Sequence, residues 1–425
     1  MAHDLLDTAV SGIYRLVWRA AIPFLRYNHR LAEGYDHRCI ARPHLLRADL
    51  WIQSASAGEA YLAWEILKRL APEHPLRVLV TTNTGQGMGI LRQARTDLSG
   101  SSVNMKIQAA YFPFDSPAIM KRAVHLVRPG LMILLETELW PGLLYSLKQA
   151  ECKVLLINGR MTRRSLDRYM IWPSFWRRRR PQEIRAVSEE DRSRFAELFG
   201  PHGVATMPNI KFDRLTGSGP LSTSATDAGT WLPPHENFLV LGSVRGAEEA
   251  DVEKMIRYIL EKQPNTVIGL FPRHMHRISH WRKTLQRLGI AWTLRSDMQP
   301  LGGGVILWDV FGELGLAYPL AAAAFIGGSL AGLGGQNFLE PLVKGVPTVI
   351  GPFWDNFKWV GTEIIDQGIL HQAGSWKEVA DFLVACIITS PDKETVKLSA
   401  EAYIKKRQGG TDVACRLIRK YLYND

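Results

Sequence analysis

Short apolar runs alternate with segments of helical period along most of the chain. LRVLVTTNT (76–84), VNMKIQAAYFPF (103–114), GLMILLETELW (130–140) and CKVLLINGR (152–160) read as strands, and SPAIMKRAVHLV (116–127) between them reads as a helix. EIRAVSEEDRSRFAELF (183–199) reads as a strand followed by a helix with Ser188 as its N-cap. The pattern breaks in GSGPLSTSATDAGTWLPPHEN (217–237), a Gly/Ser/Thr/Pro-rich stretch expected to be a linker. A second alternating set starts at FLVLGSV (238–244) and continues through NTVIGLFPR, GVILWDV, AAAFIGGS and VPTVIGP. Strand–helix alternation of this kind predicts α/β architecture with parallel, doubly wound sheets. The expected division is a segment 1–30, a Rossmann-like domain 31–213, a linker 214–236 and a second Rossmann-like domain 237–425. The last helical pattern of that second domain is a candidate to pack back on the first. Ligands of such sheets sit outside the carboxyl ends of the strands, so a cleft between two such domains is the expected site.

The chain has 425 residues, 46% hydrophobic and 22% charged, which suits two or three domains with real cores. Four scattered cysteines, with no CxxC pair, predict neither a disulfide framework nor a zinc site. The net charge of +11 is unevenly placed: residues 1–200 hold 29 Lys/Arg against 19 Asp/Glu, and residues 201–425 hold 23 against 22. The first half should therefore face something anionic, a nucleic acid or a lipid surface. No nucleic-acid module is present, and the first thirty residues favour lipid. TAVSGIYRLVWRAAIPFLRYNHR mixes apolar and aromatic residues with Arg15, Arg19, Arg26 and Arg30, too charged to span a bilayer but suited to lying in its interface. WPSFWRRRR (172–180) adds two tryptophans beside four arginines, read as a second interfacial, polybasic stretch.

No Walker loop and no strand-linked G-x-G-x-x-G occurs, which excludes the usual ATPase and dehydrogenase phosphate loops. In the second half, FIGGSLAGLGGQNFLEP (325–341) reads as a strand end, a glycine-rich loop open to an anion, and a helix in which Glu340 suits a ribose diol. LFPRH puts Arg273 at another strand end, WDVFGEL places Gly312 and Glu313 at a helix start, and GSVRGAEE is a further strand-end loop. Together these outline a nucleotide pocket. No D-x-D motif occurs, so leaving-group charge would fall to Arg273, helix dipoles and Lys211, with no bound metal and no cofactor. In the first half, WIQSASAGE brings Glu59 to a helix start. It is either a first-turn carboxylate suited to the helix dipole or a chemical group aimed into a cleft. LLETELWP places Glu136 and Glu138 at a strand end, and strand alternation would send both to one face. Pairing with Arg160 or capping the next helix is their structural alternative.

The motifs WIQSASAGE, VTTNTGQG, YFPFD, ETELWP, INGRMTRRS, NIKFD, PRH, FGEL, FIGGSL, GGQNFLEP and GPFWDNF follow in one order across residues 51–357. This set resembles the Kdo transferases, which add 3-deoxy-D-manno-oct-2-ulosonic acid (Kdo) to the lipid A precursor of Gram-negative lipopolysaccharide. The resemblance implies a GT-B fold, an N-terminal membrane-associating segment, and inverting, metal-independent transfer from CMP-Kdo at the cytoplasmic face of the inner membrane. It implies Glu59 as general base, with Glu138 and Lys211 supporting the transition state. It implies a CMP site at Pro272, Arg273, Phe311, Gly312, Glu313, Asn337, Phe338, Leu339 and Glu340. The implied partners are the donor, the lipid acceptor and an anionic membrane, not nucleic acid. Two departures lie near the donor motifs: Gln336 where the family commonly has GGHN, and Val244-Arg245 where it commonly has GSTH. The alternative is a GT-B transferase with another donor sugar, or a sugar-nucleotide epimerase.

Overall fold

The computed structural model describes residues 2–28, 31–99, 104–215, 237–299 and 301–423, with only the backbone of 2–11. The expected linker from residue 216 onward, and Arg30, lie outside them. The chain divides into two compact units, Met1–Arg214 with Arg407–Asp425, and Leu215–Lys406.

Among the described residues, the first unit is built on a seven-stranded, all-parallel sheet. Its strands are β1 (Leu50–Ser54), β2 (Leu76–Thr82), β3 (Met105–Tyr111), β4 (Leu131–Leu135), β5 (Lys153–Gly159), β6 (Glu183–Ala186) and β7 (Val204–Thr206), in the order β3-β2-β1-β4-β5-β6-β7. Burial on both faces explains the unbroken apolar runs. Alternation divides each strand between two cores: Leu50, Ile52, Leu131 and Ile133 join one, while Trp51, Met132 and Leu134 join the other. The first core is completed by the helix Ala57–Leu70 and by Leu417 and Ile418 of the C-terminal helix Gly410–Tyr423. Asp213 pins that helix. Its buried carboxylate accepts Gly409 N at 2.7 Å, Thr411 N at 2.6 Å and the Thr411 hydroxyl. Helix starts follow local chemistry: Ser56, Thr162 and Ser188 each cap with a side-chain oxygen, and Pro117 and Pro141 open helices where an N–H is dispensable.

The second unit repeats the plan with β8 (Phe238–Val244), β9 (Val267–Pro272), β10 (Trp292–Leu294), β11 (Gly304–Leu307), β12 (Ala323–Ile326), β13 (Thr348–Ile350) and β14 (His371–Gln372), in the order β10-β11-β9-β8-β12-β13-β14. All described pairings are parallel. Helices Glu249–Lys262, Ile278–Arg287 and Trp376–Thr389 cover a core that includes Leu241, Ile256, Trp281, Phe325 and Leu383.

The WPSFWRRRR stretch, read as interfacial and polybasic, places two of its aromatic residues inside the protein. It forms the short helix Pro173–Arg178, and Phe175 and Trp176 are buried in the first unit's core. Arg177 donates to the Leu198 and Glu197 carbonyls, and the Arg179 guanidinium lies over the Phe175 and Tyr145 rings. The aromatics are spent on packing.

Candidate active site

In the first sheet the strand order reverses between β1 and β4, the topological switch point where open α/β sheets place their chemistry. Glu59 follows β1 there, and Glu136 and Glu138 follow β4. Glu59 sits in the first turn of the Ala57–Leu70 helix. Its carboxylate accepts Ala55 N at 2.7 Å and the Ser56 hydroxyl at 2.9 Å, while Ser56 Oγ caps Glu59 N. This is the reciprocal S-x-x-E arrangement of a helix start. Hydrogen bonds of that kind favour the ionised form and alone would lower the pKa. The opposite is found: Glu59 is 7% exposed, and burial, then the Glu138 charge, pushes its carboxyl up to about 8. The capping hydrogen bonds fix the carboxylate's orientation, and a carboxyl raised in this way is able to accept a proton at neutral or mildly alkaline pH.

Glu138 is likewise raised by burial. Its Oε2 accepts Trp140 Nε1 at 2.6 Å and Gln53 Nε2 at 3.3 Å. The expectation that alternation sets Glu136 and Glu138 on one face does not hold. β4 ends at Leu135, and Glu136 takes a left-handed backbone (φ 55°), so the ETELWP turn, not the pleat, aims the two carboxylates. Nor is Arg160 the partner of Glu136; Lys211 is, with Nζ 2.6 Å from Oε1 and both side chains about one-fifth exposed (21% and 18%). Lys211 is set by its neighbours in NIKFD: Asn209 Oδ1 accepts Lys211 N, and Asn158 Oδ1 accepts Ile210 N. Glu59, Glu138 and Glu136 thus form one acidic cluster, each within electrostatic reach of another, with the Lys211 ammonium paired to Glu136. Tyr169 belongs beside it, its hydroxyl pKa raised by burial and then by Glu138. Sequence reasoning missed Gln53, Trp140 and Tyr169 as members, although Gln53 and Trp140 stand inside the quoted motifs.

In the second unit, a cavity of about 250 Å³ opens at the strand ends. It is lined by Ser243 after β8, Phe271, Pro272 and Arg273 after β9, Trp308 and Phe311 after β11, and Glu340. Phe271 and Trp308 stack at 4.2 Å between centroids, giving an aromatic wall, and Phe311 is 81% exposed at the mouth. Glu340 pairs with Lys344 at 3.4 Å. Gly312 has φ 92°, a conformation that only glycine takes without strain, and it lies in the same wall. Pro272, Arg273, Phe311, Gly312 and Glu340 are therefore brought together. Glu313 is turned instead to Arg295 at 2.9 Å and to Trp308 Nε1 at 2.9 Å, bracing the aromatic wall from behind. Asn337 is exposed and accepts Leu339 N. Phe338 and Leu339 are fully buried, with Phe338 packed against Trp354 and Phe357, so their side chains serve the core and not the cavity.

The glycine-rich loop also differs from expectation. Two of its amides are taken up inside the protein: buried Glu248 accepts Gly328 N at 2.5 Å and Leu330 N at 3.3 Å, and it also accepts Arg245 N, after β8, at 2.9 Å. At those two amides a carboxylate of the protein stands where a ligand anion was expected. Arg245 and Gln336, the two departures, both flank Gly328, whose φ is 72°. Among the described residues no group of three or more His, Cys, Asp or Glu side chains is arranged to hold a metal ion.

Two doubly wound parallel sheets of this strand order make up the GT-B fold. A cyanobacterial (Anabaena) protein, HepE, solved with UDP, has this fold: TM-score 0.56 at 14% identity, over 87% of this chain and 98% of that one. Residues 26–214 match the profile of the 3-deoxy-D-manno-octulosonic-acid transferases (kdotransferases). The 3-deoxy-D-manno-octulosonic acid transferase of Bordetella pertussis is 28% identical over 97% of both chains, and that of Haemophilus influenzae is 28% identical over 93% of this chain and 92% of its own. The chain is thus similar to the Kdo transferases over nearly its whole length, and residues 26–214 carry their domain profile.

Proposed function

We propose that this protein transfers Kdo from CMP-Kdo to the lipid A precursor, with inversion and without a metal, on the cytoplasmic face of the inner membrane of a Gram-negative bacterium. The observation that carries the reading is Glu59, a buried carboxyl pushed up to about 8 beside Glu138 at a topological switch point, in a chain similar to the Kdo transferases. In this reading Glu59 takes the proton from an acceptor sugar hydroxyl as its oxygen bonds to the anomeric carbon of Kdo. The bond from that carbon to the phosphate oxygen breaks, and CMP leaves with the electron pair. One base and one displacement give inversion. Lys211, held by Glu136, and Glu138 set the field around the reacting centre. The nucleotide takes the cavity of the second unit, its base against the Phe271–Trp308 wall, its ribose at Glu340 and its phosphate at Arg273.

The acceptor's membrane fits the N-terminal helix Ala2–Leu25. Ile13, Leu16, Val17 and Phe24 are exposed on it, among Arg15 and Arg19, and Arg26 follows its end. Among the described residues no helix is long and apolar enough to cross a membrane. The test is incubation of the purified protein with CMP-Kdo and tetra-acylated lipid A precursor, with chelator present. The product should carry Kdo in the anomeric configuration opposite to the donor's. Retained configuration, or activity abolished by chelation, would overturn the mechanism.

A further inference from the structure

Asp115, the last residue of the YFPFD motif, is 1% exposed, and its carboxylate accepts three hydrogen bonds. Gly142 N lies 2.8 Å away and Leu143 N 2.7 Å, and both belong to the first turn of the helix Pro141–Gln149. Trp140, the residue at that helix's own N-cap position, contributes no side-chain cap, so Asp115 supplies it from 27 residues away. The approach is close enough that a Cβ at Gly142 would collide with the Asp115 carbonyl. The third donor is the hydroxyl of Tyr14 on the N-terminal helix, 2.7 Å from the oxygen that also takes Gly142 N. Trp18 packs on Phe114 at 5.9 Å, and the Tyr35 hydroxyl donates to the Ile22 carbonyl at 2.9 Å, so the N-terminal helix is seated on this motif.

The helix that Asp115 caps begins directly after the ETELWP turn. Trp140 stands at its start and donates to Glu138 Oε2 at 2.6 Å. A continuous path therefore runs from Tyr14 to Asp115, to the amides of Gly142 and Leu143, to Trp140 and to Glu138. The side of the N-terminal helix that carries Ile13, Leu16 and Val17 stays exposed.

We propose that Tyr14 is a positioning residue for the transfer reaction: through Asp115 it fixes the start of the Pro141–Gln149 helix and so the aim of Glu138. The proposal rests on the Kdo-transfer reading of the acidic cluster. Removing the Tyr14 hydroxyl leaves its ring in place but lets the helix start and the Glu138 turn relax. A misplacement of about 1 Å costs a catalytic group up to about 10²-fold in rate, so a fall of roughly 10- to 100-fold in kcat is expected.

The test compares wild type, Tyr14→Phe and Tyr35→Phe. Tyr35→Phe removes a hydrogen bond that seats the same helix but lies off the path to Glu138. Three quantities are read with each protein: kcat and KM for CMP-Kdo on precursor lipid in mixed micelles, co-sedimentation with phosphatidylglycerol vesicles, and the melting temperature. The expected result is a fall in kcat for Tyr14→Phe alone, with KM, vesicle binding and melting temperature unchanged. Asp115→Asn, which keeps one acceptor oxygen, should reproduce the fall in part. Wild-type kcat in Tyr14→Phe overturns the proposal, and so does a loss that tracks vesicle binding or is shared equally by Tyr35→Phe. Absence of transfer by the wild type would instead overturn the functional reading on which the proposal stands.

Discussion

Replacing Glu59 by Gln separates its capping role from its chemical one, because the two act in opposite directions. Glutamine keeps the size and one acceptor oxygen but cannot take a proton. In the native protein, burial and Glu138 raise the carboxyl from its ordinary 4.5 to about 8. A carboxyl raised in this way is favoured in its protonated form, so its native state is most stable below pH 4.5 and loses stability as pH rises through about 8. Fully ionised, the group costs the folded state roughly 5 kcal/mol. The variant removes that cost and gives up about 1–2 kcal/mol of hydrogen bonding to Ala55 and Ser56. A net gain of about 3 kcal/mol at pH 9 is expected, or roughly 6–12 °C in the melting temperature of a unit of this size. At pH 5.5 the wild-type carboxyl is protonated and most of that cost is absent, so the variant should be no more stable than wild type. Activity should move the other way, with kcat falling about 10²–10⁴-fold. The assay is a pair of thermal melts at pH 5.5 and 9 together with initial rates of lipid glycosylation. Wild-type kcat in the variant, or wild-type and variant melts that shift in parallel between the two pH values, would refute the reasoning.

Lys211→Met should leave Glu136 without its ammonium partner beside the other two carboxylates; kcat should fall about 10²-fold and its pH optimum should move upward, as a pH–rate profile would reveal. Arg273→Lys is not conservative at a phosphate clamp, and calorimetry should find CMP bound at least about tenfold more weakly while acceptor KM holds. Asp213→Ala strips a buried acceptor from Gly409 N, Thr411 N and the Thr411 hydroxyl, and should destabilise the first unit by about 2–4 kcal/mol in denaturant titration.

The architecture was legible because buried parallel strands leave continuous apolar runs, and Ser188 as an N-cap was readable from its residue type and position. The acidic cluster was legible as motifs but not as geometry. Nothing local says that the chain leaves β4 at Leu135 and turns left-handed at Glu136, and period-two reasoning failed one residue past the strand. The glycine-rich loop suggested open amides, but the carboxylate that fills it comes from Glu248, 80 residues away from Gly328. WPSFWRRRR has the composition of a membrane-surface patch, yet composition does not say that Phe175 and Trp176 enter the core. Phe338 and Leu339 shared a motif with Glu340, but only Glu340 points to the cavity wall. The Tyr14–Asp115 bond spans 101 residues and has no local pattern at all.

The most direct test of the central claim follows both products of one reaction. CMP release and the mass of the lipid are measured over time with purified protein, CMP-Kdo and tetra-acylated lipid A precursor. The account predicts one CMP released for each Kdo added to the lipid. CMP released without lipid product, or no reaction while CMP binds the cavity of the second unit, would contradict it.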